Sequence, residues 1–121
     1  MTNNAHQKEF ERWSREVKKG AASLAILAVL ERGESYGYDI VKKLEEWDVT
    51  FLAFEQGTVY PLLKRLEKRK LLTSDWRQME TDKPKKFYVI TEEGRAALDL
   101  MTTAWARISE EMQTIIGGDA A

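Results

Sequence analysis

The apolar residues of the first thirty positions recur at the spacing of an α-helix. Phe10, Trp13 and Val17 alternate with charges and predict an amphipathic helix over residues 8–18, behind a frayed polar start. Residues 21–31 are apolar around most of the circumference, which predicts a second helix at the centre of the core. Gly20 breaks or softens the join between the two, and Gly33 suits the left-handed position that ends the second.

Residues 35–69 carry the pattern of two further amphipathic helices. Ser35 is a suitable N-cap for a helix that runs to about Glu46. That helix should bury three apolar side chains: Ile40, Val41 and Leu44. The connection after it should direct three more inward: Phe51, Leu52 and Phe54.

The next helix opens at residues 57–58, runs through residue 68 or 69 and separates apolar from basic side chains. Its apolar positions fall on one face: Val59, Leu62, Leu63 and Leu66. Its basic positions fall largely on the remainder: Lys64, Arg65, Lys68 and Arg69. Pro61 is expected in the first turn, where the missing backbone N–H costs least.

Residues 71–77 and 86–90 favour β-strands and flank a polar tip, so they predict a hairpin with a long exposed loop. Thr91 then caps a last helix whose first turn holds Glu92 and Glu93, and residues 117–118 (Gly-Gly) end it. An apolar stripe runs along one face of this helix: Ala97, Met101, Ala104, Ile108, Met112 and Ile115. Three further apolar residues widen it: Leu98, Trp105 and Ile116.

Helices followed by a hairpin are the element order of a winged helix-turn-helix. We predict a mainly α fold with a small β-hairpin, in which residues 1–90 form an N-terminal helix and a winged DNA-binding domain. Residues 91–121 form a C-terminal dimerisation helix and its tail. Because so small a core leaves no groove for the last helix, its stripe should pack on a second copy in a homodimer.

A length of 121 residues allows one domain with an appended helix. The chain has no Cys and one His, which excludes a disulfide scaffold, a thiolate site, His-based metal sites and Ser–His triads. Carboxylates such as Asp39, Glu55 and Glu92 lack an accompanying nucleophile–base pair or metal cluster. We therefore expect no enzyme activity, no metal and no cofactor. The longest apolar run is too short for a bilayer, and we expect a cytoplasmic protein.

Charge is distributed unevenly along the chain. The formal net charge of −1 by itself argues against a nucleic-acid partner. Residues 57–90, however, carry nine basic and four acidic side chains, a net of +5, whereas the remainder has a net of −6. This basic block coincides with the helix that opens at residues 57–58 and with the hairpin, the two elements that a winged helix presents to DNA.

Three stretches carry a resemblance to a known family: Tyr-Gly-Tyr-Asp-Ile at 36–40, Gly-Thr-Val-Tyr-Pro-Leu-Leu-Lys-Arg-Leu-Glu at 57–67 and Lys-Lys-Phe-Tyr-Val-Ile-Thr-Glu-Glu-Gly-Arg at 85–95. In this order and spacing they resemble the PadR family of bacterial transcriptional regulators, over about residues 20–116. The single C-terminal helix is similar to its smaller subfamily. The resemblance implies a dimeric winged-helix repressor, often of efflux or stress genes, that is released by small aromatic ligands.

The sequence departs from the family pattern in two places, at residue 70 and at residues 82–83. Lys70 stands where the family commonly has Gly, so it must adopt a left-handed conformation at some cost, or the turn is built differently. Residues 82–84 are Asp-Lys-Pro where Gly-Arg-Pro is usual, so a bidentate guanidinium becomes a point charge beside a carboxylate. The helix that opens at residues 57–58 is therefore a better candidate for DNA contact than the hairpin.

A recognition helix offers its N-terminal part to the major groove. The residues expected at DNA are therefore Thr58, Tyr60, Pro61, Lys64 and Arg65. Tyr38 resembles a phosphate contact of the family. The hairpin would add three cations over the backbone or the minor groove: Lys83, Lys85 and Lys86. Plainer interpretations remain open: Tyr38 and Tyr60 as core aromatics, Thr58 as a helix cap, and the basic side chains as a solvated face.

The last helix holds candidates for a ligand site. In some multidrug-sensing PadR members a Trp at the position matching Trp105 stacks planar ligands between the subunits. The resemblance thus implies a site for a flat aromatic or cationic effector, lined by Trp105, Trp13, Met101, Ala104 and Ile108. The alternative is that Trp105 is a dimer-core aromatic with no cavity beside it.

These observations predict a sequence-specific transcriptional regulator, a repressor that binds a pseudo-palindromic operator on double-stranded DNA and is released by a small ligand. The alternative is a winged-helix module that docks a protein on the same basic helix and binds no specific DNA.

Overall fold

The computed structural model describes residues 4–49, 51–52, 56–80 and 83–118, with only the backbone of Gln56. The elements of this part of the chain follow in the order α1 (Ala5–Glu31), α2 (Gly37–Glu46), α3 (Gln56–Lys68), β1 (Leu72–Arg77), β2 (Lys85–Ile90) and α4 (Glu92–Gly117). The predicted fold, mainly α with a small β-hairpin, is confirmed. Along the described helices, no segment is long and apolar enough to cross a membrane.

The apolar faces of α1, α2 and α3 meet in one core that the hairpin closes from the side. The inner half of α1 contributes Ile26 and Leu27, which are fully buried, as its low polarity predicts. The faces of α2 and α3 contribute the residues that their periodicity indicates: Ile40, Val41, Leu44, Val59, Leu62, Leu63 and Leu66. The start of α4 adds Leu98 to this core.

The hairpin is antiparallel, with Leu72 opposite Ile90 and Arg77 opposite Lys85. A third segment extends it, because Ser35 and Tyr88 exchange both backbone hydrogen bonds, at 3.2 and 2.8 Å. The loop between α1 and α2 is therefore tied to β2. This connection fixes the hairpin against the helices at its inner end.

The turn between α3 and β1 also fixes the start of α4. Lys70 adopts the left-handed conformation, with φ 68°, as the sequence predicts if the usual turn is kept. Thr91 caps α4 as expected, accepting a hydrogen bond from the Gly94 N–H at 2.9 Å, and its hydroxyl donates to the Lys70 carbonyl at 2.8 Å. A side chain at Gly94 would collide with the Leu71 carbonyl, so only glycine permits this close approach.

Two predictions about the first helices are wrong. The sequence was expected to form two helices around Gly20 behind a frayed start, but α1 is continuous from Ala5. Ser35 is not the N-cap of α2, since Tyr36 occupies that position. The Ser35 hydroxyl instead donates to the Asp39 carboxylate at 2.6 Å, and the side chain is buried.

The segment around the start of α3 also differs from expectation. The helix begins at Gln56, so Pro61 is its sixth residue and lies beyond the first turn, and Thr58 is a helical residue and not a cap. Phe51 does not pack inward: it is 64% exposed, with the Lys18 ammonium 4.8 Å from its ring centre. Leu52 does pack against the core. Phe54 lies outside the described residues.

Candidate nucleic-acid interface

The outer face of α3 is exposed and holds every residue of this helix that the sequence proposed for DNA contact. The inner face is filled by the four buried aliphatic residues described above, so the remaining positions must face solvent. The exposed positions include Thr58, Tyr60, Pro61, Lys64 and Arg65. The basic side chains of α3 thus form a continuous outer surface, which a partner can reach.

A cleft of about 390 Å³ separates this surface from the hairpin. We call it the wing cleft; its lining includes Tyr36, Gly37, Tyr38, Tyr60, Trp76, Lys83, Pro84, Lys85, Lys86 and Tyr88. The structure therefore brings together five of the nine residues proposed for DNA contact. Tyr38 comes from α2, Tyr60 from α3 and the three lysines from the hairpin side.

Both proposed tyrosines are accessible at this cleft. Tyr38 is 52% exposed and is not a core aromatic. Tyr60 is 45% exposed, and its ring lies against Gly37, where a Cβ would collide with the ring. One edge of the Tyr60 ring therefore packs on the first turn of α2, and the remainder faces outward.

Glu67 of α3 anchors the inner face of the hairpin. Its carboxylate accepts a hydrogen bond from the Ser74 hydroxyl of β1 and lies 3.7 Å from the Lys86 ammonium of β2. One side chain thus contacts both strands, which sets the distance between the hairpin and α3. Part of the charge of Lys86 is neutralised by this pair.

Arg77 anchors the outer face of the hairpin. Its guanidinium donates to both carboxylate oxygens of Glu34, at 2.5 and 2.9 Å, and lies 4.6 Å from the centre of the Phe87 ring. The hydrogen bonds from Arg77 hold the pKa of Glu34 below its ordinary value, and those to Glu34 and Asp75 raise the pKa of Arg77. The hairpin is therefore held on two sides before any partner binds.

Asp39, considered above as a catalytic carboxylate, has a structural environment. Burial works against its ionisation, but hydrogen bonds from Ser35 and Lys43 outweigh burial and lower its pKa. The ammonium of Lys43, in the last turn of α2, lies 3.1 Å from the carboxylate of Asp39, in its first turn. The carboxylate stabilises the start of α2.

A second cleft, of about 290 Å³, borders the opposite side of α3. We call it the α1 cleft; it is lined by Arg15, Lys18, Lys19, Ala22, Leu52, Thr58, Leu62 and Arg65. Its α1 cations were not among the residues predicted from the sequence, although their spacing of three and one places them on one side of a helix. Trp76, which is 68% exposed at the wing cleft, was not predicted either.

The five residues proposed for ligand binding line one further cavity, of about 660 Å³, between α1 and α4. Trp13 comes from α1, and Met101, Ala104, Trp105 and Ile108 come from α4. Trp105 is 46% exposed and faces open space, so it is not enclosed by its own chain. Glu16 places a carboxylate on the lining of this cavity. We call it the α4 cavity.

Comparison with known proteins identifies this arrangement. The transcriptional regulator PadR-like family matches residues 26–100, which span the winged helices, the hairpin and the first part of α4. The chain belongs to the PadR-like family. It is therefore a transcriptional regulator of the winged-helix type and not an enzyme, as the sequence predicted.

Solved PadR-family structures share the fold. A PadR family regulator from Eggerthella lenta DSM 2243 is 29% identical, with a TM-score of 0.77 over 94% of this chain and 97% of that chain. Bacillus subtilis PadR in complex with operator DNA is 32% identical, with a TM-score of 0.61 over 65% of this chain and 44% of that chain.

Two curated relatives are longer proteins. The chain is 34% identical over 74 residues to the negative transcriptional regulator PadR of Bacillus subtilis, covering 61% of this chain and 41% of the relative. It is 31% identical over 80 residues to the transcriptional regulator YqjI of Escherichia coli, covering 66% of this chain and 37% of the relative. The chain thus spans less than half the length of these two relatives.

Proposed function

We propose that this PadR-family regulator is a homodimeric repressor, which reads a pseudo-palindromic operator with α3 and the hairpin and leaves it when a flat aromatic or cationic ligand binds in the α4 cavity. The observation that carries the DNA-reading role is the exposed basic face of α3 beside the wing cleft. The match to a PadR bound to operator DNA supports it.

The DNA contacts are divided between the two elements of the interface. Thr58, Tyr60 and Pro61 at the start of α3 meet base edges or thymine methyl groups, and Lys64 and Arg65 reach guanine or phosphate one turn later. The remaining contacts lie around the wing cleft, where Tyr38 donates to a phosphate and the hairpin cations lie along the backbone: Lys83, Lys85 and Lys86.

Residues 91–121 supply the dimer contact and residues 1–90 the DNA-binding domain. The exposed apolar side chains of α4 support this division, since such a stripe normally packs on another chain. A two-fold dimer presents two α3 helices to DNA, so the operator half-sites should lie about one helical turn, or a multiple of it, apart.

The α4 cavity supports the ligand-release part of the proposal. Its volume lies within the range of about 300–1,000 Å³ that small-molecule sites occupy. The faces of Trp13 and Trp105 suit planar rings, and the Glu16 carboxylate favours a positive charge on them. A ligand that binds the DNA-free dimer more tightly than the bound one shifts the equilibrium toward release.

Fluorescence anisotropy with labelled DNA tests the DNA-binding role. The DNA upstream of the protein's own gene is compared with a scrambled duplex over a salt series. We expect a specific complex that weakens steeply with salt, and about tenfold weaker binding for Lys64→Gln, with Arg107→Gln of α4 as a charge-matched control. Equal affinity for the two duplexes at every salt concentration would contradict the proposal and favour the protein-docking alternative.

Tryptophan fluorescence tests the ligand site. A flat cationic dye such as ethidium should quench the DNA-free parent protein, and Trp105→Ala should lose most of this quenching. Trp47→Phe, which changes a Trp outside the lining of the α4 cavity, is the matched control. Equal quenching in the parent and in Trp105→Ala would remove Trp105 from the site.

A further inference from the structure

The exposed face of α3 is bordered by a cleft on each side. Tyr60 lines the wing cleft, whereas Thr58 and Arg65 line the α1 cleft. Thr58 and Arg65 are seven residues apart, close to two full turns, so they lie along one line of the helix. Pro61 and Lys64 lie between the two clefts on the outermost part of α3.

The α1 cleft is strongly basic. Four of its lining residues are cations: Arg15, Lys18, Lys19 and Arg65. Its floor is apolar, and no carboxylate is among the described residues that line it. Within the described part of the chain, none of these cations forms an ion pair, in contrast to Lys43, Arg77 and Lys86. Their charge is therefore available to an anionic partner.

The dimensions of DNA connect the two clefts. An α-helix with its side chains is about 10–12 Å across, and the major groove is about 12 Å wide. When α3 lies in that groove, one sugar-phosphate strand must run along each side of it. One strand then lies over the wing cleft, and the other lies on the side where α1 carries its cations.

We propose that the α1 cleft is a phosphate-binding site for the second DNA strand, with Arg15 and Lys19 as its principal contacts. The proposal rests on the DNA-reading role of α3 and adds a third element, α1, to the interface. Arg65 acts with these residues as a phosphate contact and not as a base contact, because it lines the same cleft. The Lys18 ammonium lies 4.8 Å from the centre of the Phe51 ring and adds positive charge to the lining of the cleft.

The double variant Arg15→Gln/Lys19→Gln tests the site, because both side chains are exposed and their loss leaves the core intact. The slope of log K against log salt for the operator should become shallower by about 0.9 for each lost phosphate contact, or about 1.8 for each protomer. The preference for operator over scrambled duplex should remain, since the loss of phosphate contacts weakens both complexes alike. Ethylation interference should lose the phosphates on one side of each half-site.

Arg95→Gln/Arg107→Gln removes the same charge from α4 and should keep the parent slope and interference pattern. If the parent binds the operator and the Arg15/Lys19 variant keeps the parent slope, the α1 site is wrong while the regulator role stands. If the parent does not distinguish operator from scrambled duplex, the regulator role itself fails. Circular dichroism of both variants checks that α1 remains folded.

Discussion

The winged-helix body and the outer part of α4 carry the same kind of sequence pattern and end in opposite environments. In the body, the apolar face of α3 is covered on all sides, and Val59 and Leu63 are completely buried. Along α4, Leu98 is the last buried residue, and every residue from 102 to 118 is exposed. Several of these exposed side chains are large and apolar: Trp105, Ile108, Met112, Ile115 and Ile116.

The difference shows what helical periodicity specifies. A stripe of apolar residues at spacings of three and four indicates that one face of a helix requires cover. It does not indicate whether the cover comes from the same chain or from another. For α3 the cover is α1, α2 and the hairpin; for α4 we propose a second copy of the chain.

The largest effect on stability should come from creating a cavity in the core of the winged-helix body. Leu63→Ala removes a fully buried side chain from α3 and should lower the free energy of unfolding by about 2–5 kcal/mol, since the cavity cannot collapse completely. Leu100→Ala makes the same chemical change at a side chain that is 75% exposed and should cost less than about 0.5 kcal/mol. Urea denaturation measures both, and similar losses would contradict the contrast between the regions.

The next effect concerns dimerisation through the outer part of α4. Ile108→Glu places a charge in the middle of the α4 stripe and should weaken dimerisation by at least about 100-fold, or about 2.7 kcal/mol, because the charge would be buried without a partner. Thr103→Glu adds the same charge on the opposite face of α4 and should leave the dimer intact. Sedimentation equilibrium measures the dissociation constants; a monomeric parent would show that the stripe has another partner.

Local signals in the sequence predicted the parts of the fold that depend on neighbouring residues. The cap at Thr91 and the two strands were confirmed because each depends on a few adjacent side chains. At Lys70 the sequence left two alternatives open, and the structure has the left-handed one. The continuity of α1 was not predictable in this way. Gly20 costs a helix about 1 kcal/mol, and the packing of α1 on α3 and α4 outweighs it.

The candidate interface could be predicted in part for the same reason. The exposed positions of α3 follow from helical periodicity once the buried face is known. The α1 cleft is formed by residues such as Arg15 and Arg65, which are distant in the sequence and line the same cleft only in the folded chain. Trp76 was overlooked because a strand pattern alone does not indicate which neighbouring element its face opposes.

A smaller effect is expected at the junction of the two regions. Thr91→Ala removes the N-cap of α4 and its hydrogen bond to the Lys70 carbonyl, and should lower stability by about 1 kcal/mol. Thr91→Ser keeps both hydrogen bonds and should lower stability by at most about 0.3 kcal/mol. Thermal unfolding at fixed protein concentration compares the two variants; an equal loss would show that the methyl group, and not the hydroxyl, stabilises the junction.

The smallest effect should have the opposite sign. Lys70 is held at φ 68°, where a residue with a Cβ is strained by about 1–2 kcal/mol and glycine is not. Glycine also loses more backbone entropy on folding, so the net gain of Lys70→Gly should be about 0.5–1 kcal/mol. Lys64→Gly, in the middle of α3, should instead cost about 0.7–1 kcal/mol, because the helical conformation suits lysine better. Urea denaturation of both variants separates backbone strain at the junction from the general effect of glycine, and a loss of stability in both would show that Lys70 is not strained.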